Sequence, residues 1–331
     1  MDDADARAGR VGGDGGAMSG MDPDVRSSSI PGERWCAIVN PAAGGGRSGK
    51  RAPSALARLR ERGLRIEARY TEGPRDAVEL ARREFERGVR RFLCIGGDGT
   101  THEVLNGVLS SGPAETRRVT IAMLPLGTGN SFLRDFGVTS TEEASRRIER
   151  GRARAVDALR IVHGAGELFA FNLLGLGFAA RAGALTNRRY KPLGAAGYVA
   201  AVVQSTLELA TDAHPFSTDR APRDGRPAIL LSFSNSRATG GGMQMAPRAE
   251  TDDGELDIIR IGPMSRGDFL GRFPSIFSGT HVDTEGVEQT RARSVDFDLG
   301  GRTVDCMVDG EVLPLALERI EVIPRAFDVV A

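Results

Sequence analysis

The 331-residue chain contains no run of apolar residues near the ~18 needed to cross a bilayer, and its N-terminus lacks the basic-then-apolar order of a signal peptide. A cytoplasmic protein without a transmembrane segment is therefore expected. Cysteine is scarce: Cys36, Cys94 and Cys306 are odd in number, far apart and each set in an apolar stretch. That excludes a disulfide or metal framework and fits buried, reduced thiols. Net charge is missing too, because 44 Lys and Arg balance 44 Asp and Glu. No overall basic field points to nucleic acid, and contact with an anionic membrane needs a local patch. Lysine is almost absent, Lys50 and Lys191 being the two, so positive charge rests on arginine. Residues 1–32 have almost no large apolar side chains and are rich in Gly, Asp, Ser and Pro, the composition of a disordered tail.

What is present suits a globular protein of two domains, with 40% hydrophobic and 27% charged residues. Strands are expected at 35–40, 65–70, 91–95 and 119–124, with helices at 52–62, 74–87 and 101–109. Four such repeats imply an open parallel sheet whose glycine-rich loops share its carboxyl edge, where ligands bind. Beyond Val156 the rhythm changes to strands expected at 155–162, 168–174, 228–235, 256–261, 294–298, 303–308 and 320–323, with helical interludes at 194–210 and 266–278. The expected fold class is thus α/β plus all-β. A nucleotide-binding type of α/β domain spans 33–156, completed by about 318–331, and a mainly antiparallel β-sandwich spans 157–317.

The most informative stretch is 94–108, CIGGDGTTHEVLNGV. Gly96 and Gly97 let the backbone approach a ligand, Thr100 or Thr101 can cap the following helix, and its N-terminal N–H groups attract an anion. Asp98 would be repelled by phosphate unless a divalent cation lay between them, which implies Mg²⁺. A glycine turn with no ligand remains open on this segment alone. Gly44, Gly49 and Lys50 imitate a phosphate-binding P-loop, but Arg51 stands where the Mg²⁺-binding Ser or Thr belongs. Gly175, Gly177 and Ala180 imitate the dinucleotide fingerprint, yet no Asp or Glu occurs from Phe178 through Leu207 to hold a ribose.

The motifs NPAAGGG, GGDGT followed by EV, LPLGTGN, GGGMQMAPRAETDDGELD and VDGE occur in that order. Together they resemble the diacylglycerol kinase catalytic-domain family of lipid kinases, which includes bacterial diacylglycerol kinase-like and sphingosine kinases. The resemblance runs from about Trp35 to Val330. It implies an ATP- and Mg²⁺-dependent kinase with its active site in an interdomain cleft and a lipid hydroxyl as acceptor. The nucleotide residues so implied are Asn40, Thr71, Gly96, Gly97, Asp98, Gly99, Thr100, Thr101, Glu103, Gly127, Thr128 and Asn130. Glu311 is the implied general base and Asp98 the second catalytic acid. The side chain of Asp253 and the carbonyls of Glu250 and Glu255 are implied ligands of a structural Mg²⁺, though an acidic turn without metal stays open. For Asp309 and Gly310 the plain alternative is a two-residue hairpin turn.

Three positions depart from that pattern: Ser131 and Ala179 replace acids, and His102 stands where Asn is usual. No role is assigned to His102. Arg188, Arg189 and Lys191, beside Pro192, Leu193 and the apolar run 198–203, could form a basic lip for peripheral contact with a membrane, or a solvated cluster before a core helix. A homodimer is left open. A soluble NAD kinase-like enzyme shares GGDGT and the two-domain plan, and a non-catalytic lipid- or nucleotide-binding relative is motivated by Ser131 and Ala179.

Overall fold

The computed structural model describes residues 26–27, 34–111, 118–127, 130–190 and 194–331. Most of the expected tail, Thr128, and Lys191 to Leu193 lie outside the described residues. Arg26 and Ser27 pair with Ala153 and Arg152 as a short strand.

Trp35 to Val39, Phe92 to Ile95 and Ile121 to Leu124 are unbroken apolar runs, a pattern suited to strands covered on both faces. They lie in the strands Arg34–Val39, Arg91–Gly96 and Thr120–Pro125, which form a parallel sheet with Arg65–Tyr70 at its edge. Helices Arg47–Glu61, Asp76–Glu86 and Asp98–Leu109 alternate with these strands. The first buries Ala52, Ala55, Leu56 and Leu59, a stripe at helical spacing. It starts at Arg47 rather than 52, because Gly44, Gly45 and Gly46 all take positive φ and bring the chain round at once.

The C-terminal strand, Leu317–Val330, is far longer than the expected 320–323. Its last residues, Asp328 to Val330, add in parallel to Thr120 to Ala122. It runs antiparallel to Arg152–His163, with register shifts between Leu317 and Arg319 and between Ile323 and Phe327. These two long strands carry the backbone from one domain into the other. The fully buried Trp35, Phe92, Phe132, Phe171 and Phe327 belong to the core of the parallel domain, each contributing about 1.5–3 kcal/mol by burial.

The second domain has a six-stranded antiparallel sheet in the order Val287–Ala292, Leu256–Ile261, Leu230–Ser234, Leu173–Gly177, Val304–Val308, Glu311–Leu315. Alternate residues enter two cores. Leu174, Leu231, Ile258 and Val308 pack toward the long strands, through Leu159, Ile161 and Ile320. Leu173, Leu230, Ile259 and Met307 face helices, through Phe178, Val202 and Phe269. The single strand expected at 168–174 is two, Gly166–Ala170 and Leu173–Gly177. It breaks because the N–H groups of Phe171, Asn172 and Leu173 all donate to the Asp309 carboxylate. Among the described residues, no helix is long and apolar enough to cross a membrane.

Candidate active site

The turn after Arg91–Gly96 is built by close approach. A β-carbon on Gly96 would sit 2.3 Å from Thr100 Oγ1, so only glycine leaves room for the helix to start there. Gly97, in extended conformation, caps the helix, and its carbonyl accepts from Thr100 N at 3.0 Å and Thr101 N at 3.3 Å. The expected threonine cap is therefore incorrect: both threonines lie inside the first turn, where glycine has already ended the strand. The Thr100 hydroxyl instead accepts from Asn40 Nδ2 at 3.3 Å, and Thr101 faces the buried Cys94 thiol.

Neighbouring loops close on this turn. Asn40 N donates to Ile95 O at 3.0 Å, while Thr71 is buried with its N–H on Val39 O at 2.9 Å. Gly127 N donates to Gly96 O at 2.6 Å. Asn130 holds a left-handed backbone, φ 46°, and its Nδ2 donates to Gly127 O at 3.1 Å. Ser131 N donates to Asp98 Oδ2 at 2.7 Å. Phe132, the next residue, stacks edge-on against Phe171 in the same core with ring centroids 4.7 Å apart, worth about 0.5–1.5 kcal/mol beyond burial. That aromatic contact fixes the loop that holds Asp98.

Burial pushes the Asp98 carboxyl up to about 6; the Ser131 amide opposes this and the nearby Asp309 charge adds to it. Of the positions where acids are usual, Ser131 supplies an amide to Asp98, and Ala179 packs its methyl 2.8 Å from where a Gly175 β-carbon would be. Neither brings a second carboxylate.

From the second domain the hairpin Val304–Val308 to Glu311–Leu315 reaches this turn through Asp309 and Gly310, both at positive φ (47° and 95°). The hairpin reading of these two residues is thus the observed geometry. It also exposes Glu311, whose Oε1 lies 3.7 Å from the β position of Gly99. A carboxylate on one domain thereby stands against the glycine-rich turn on the other.

Glu103 points elsewhere. Its oxygens accept from Arg75 N at 3.1 Å and Ala77 N at 3.2 Å, capping helix Asp76–Glu86. Burial raises its pKa, those two amides lower it, and Glu311 is among the charges that raise it.

The Asp253 loop is anchored separately: the buried Asp157 accepts from Gly254 N and from Arg325 N, both at 2.7 Å. Arg291 pairs with Asp253 and, at 3.3 Å, with Glu255, while Arg220 also pairs with Glu255 and Glu250 is exposed. The Arg291 guanidinium therefore already neutralises Asp253, the one side chain expected to face a cation. Among the described residues, no group of three or more His, Cys, Asp or Glu is placed to hold a metal ion. Asp253 is thus held by an arginine where a resident metal would need its carboxylate free, and no chemistry is derived through a metal at this loop.

Residues 34–161 match the model of the diacylglycerol kinase catalytic domain, and 172–331 match that of the YegS C-terminal NAD kinase beta sandwich-like domain. A "Probable lipid kinase YegS-like" of Pseudomonas aeruginosa is 31% identical over 83% of this chain and 88% of its own. The chain belongs to the diacylglycerol kinase and YegS-like lipid kinase family. It is accordingly a kinase. A diacylglycerol kinase of Mycobacterium tuberculosis is 29% identical over 88% of this chain and 93% of that protein. The solved structure "A putative diacylglycerol kinase" from Bacillus anthracis str. Sterne shares the fold, with a TM-score of 0.72 at 24% identity, covering 90% of this chain and 97% of that one.

Proposed function

We propose that the protein transfers the γ-phosphoryl group of MgATP to the hydroxyl of a lipid, diacylglycerol or a sphingoid- or ceramide-type lipid, at a membrane surface. The observation that carries this reading is the carboxylate of Glu311 held against Gly99, at the phosphate turn. Phosphoryl transfer needs positioning and charge neutralisation more than covalent chemistry, and the attacking alcohol needs one acceptor for its proton. Glu311 takes that proton as the hydroxyl oxygen bonds to the γ-phosphorus and ADP leaves. The N-terminal amides of helix Asp98–Leu109 would hold the phosphates, and Asp98 would offset the charge of the Mg²⁺ that arrives with the nucleotide.

An apolar pocket of about 50 Å³ on the helix-covered face of the six-stranded sheet supports a lipid acceptor. Phe178, Met243, Met245, Ile261, Phe269 and Ile276 line it, as suits an acyl chain rather than a second nucleotide. Val199, Val203 and Leu207, spaced four apart, are exposed along and just beyond helix Gly194–Thr206, and exposed Leu270 lies on the adjoining helix Arg266–Arg272. With Arg188 and Arg189 just before that helix, this face suits peripheral contact with anionic lipid.

Purified protein with labelled ATP, Mg²⁺ and a panel of diacylglycerol, sphingosine, ceramide and NAD tests the reading. Phosphate is expected on a lipid. Phosphate on NAD alone would show a soluble nucleotide kinase, and transfer to nothing would favour a non-catalytic binding protein.

A further inference from the structure

Helix Asp98–Leu109 presents two polar side chains, one turn apart, to the second domain. Asn106 pairs with the backbone of Phe169 like a neighbouring strand: Nδ2 donates to Phe169 O at 2.8 Å, and Phe169 N donates to Asn106 Oδ1 at 2.8 Å. His102 places Nδ1 3.0 Å from Asp309 Oδ2. The Asp309 side chain is fully buried. Its Oδ2 also accepts from Phe171 N at 3.1 Å, and its Oδ1 accepts from Asn172 N and Leu173 N, both at 3.0 Å. Three amides from its own domain and one imidazole from the other converge on a single carboxylate.

Position gives this cluster its meaning. Asp309 and Gly310 are the two turn residues that deliver Glu311 to Gly99. Without His102 the turn would remain tied to residues 171–173 but would lose its direct tether to the helix that cradles phosphate. The imidazole has a defined orientation in this arrangement. Asn106 Nδ2 donates to His102 O at 2.9 Å and to Phe169 O, which uses both its hydrogens, so Nε2 at 3.3 Å receives none of its own. A proton on Nδ1, donated to the Asp309 carboxylate, fits these contacts.

We propose that His102 is a positioning residue, which fixes Glu311 over the phosphate turn by holding the Asp309 carboxylate across the domain boundary. The proposal rests on Glu311 as the proton acceptor. His102 itself touches no reacting atom. Misplacing a catalytic group by about 1 Å can cost on the order of a hundredfold in rate.

His102→Leu removes the donor at similar bulk, while His102→Asn keeps an N–H donor at the same bond distance from Cβ. Because three amides still satisfy Asp309, both variants are expected to fold. With ATP and the best lipid acceptor, His102→Leu should lower kcat about ten- to a hundredfold with KM for ATP within about twofold, and His102→Asn should recover to within about threefold of the parent. Hydrogen exchange at the amides of Gly310, Glu311 and Val312 should speed up in His102→Leu and not in His102→Asn. Unchanged turnover and exchange in His102→Leu, or equal losses in both variants, would overturn the proposal. If the parent phosphorylates no lipid, the functional reading fails, and the exchange pattern still decides whether His102 holds the turn.

Discussion

Gly127 rests directly on the backbone of Gly97: a β-carbon added to Gly127 would lie 2.6 Å from Gly97 Cα and 2.7 Å from Gly97 N. Backbone atoms cannot swing aside as a flexible side chain can, so two glycine-rich loops interlock at the turn proposed to hold phosphate. Gly127→Ala should therefore push the turn at 96–99 out of register. The expected outcome is a drop of about a hundredfold in kcat/KM for ATP, with overall stability lowered by about 1–3 kcal/mol, measured by kinetics and urea unfolding.

Asp98 carries the pH dependence. Its pKa, raised to about 6 chiefly by burial, places the lower limb of kcat/KM for nucleotide near that value, activity rising as the carboxylate forms. Stability runs the other way. The folded protein binds this proton more tightly than the unfolded chain, so the group's stabilising contribution is complete below about pH 4 and is lost as pH rises to about 6. Asp98→Asn should thus be more stable than the parent at pH 8, by about 1–3 kcal/mol, while losing most turnover. Thermal unfolding at pH 5 and pH 8 reads the difference, and a variant less stable at pH 8 would refute it.

Glu103 separates structure from ligand binding. Because it caps Arg75 N and Ala77 N, Glu103→Ala should cost about 1–2 kcal/mol in denaturant unfolding. Near-normal stability with a large loss of nucleotide affinity would instead assign it to the nucleotide.

The parallel domain is legible in the sequence, since unbroken runs such as Phe92 to Ile95 need cover on both faces and the glycines after them mark a turn into a helix. The glycine turn is legible for the same reason. Partners across the chain are not. His102 and Asp309 stand 207 positions apart, and nothing in a lone histidine on a helix announces a buried carboxylate. The break at Phe171 and Asn172 follows from that same carboxylate, which takes amides the local pattern assigns to a strand. Likewise Leu317–Val330 owes its length to pairing with Arg152–His163, because charged Glu318, Arg319 and Glu321 interrupt its apolar pattern.

Arg291 decides the acidic loop. With its guanidinium on Asp253 and Glu255, the nucleotide-free protein should unfold at the same temperature, within about 2 °C, in EDTA and in excess Mg²⁺. Arg291→Gln would leave those carboxylates facing one another, and its midpoint should fall and become responsive to Mg²⁺. A strong Mg²⁺ response in the parent would show that the loop takes a metal despite the arginine.

The central claim is that Glu311, delivered across the domain boundary to Gly99, accepts the proton of a lipid hydroxyl. Its most direct measurement is kcat of Glu311→Gln with ATP, Mg²⁺ and the preferred lipid, alongside nucleotide affinity of the same variant. The predicted result is a fall of about a hundredfold to ten-thousandfold in kcat with affinity within about twofold. Turnover equal to that of the parent would contradict it.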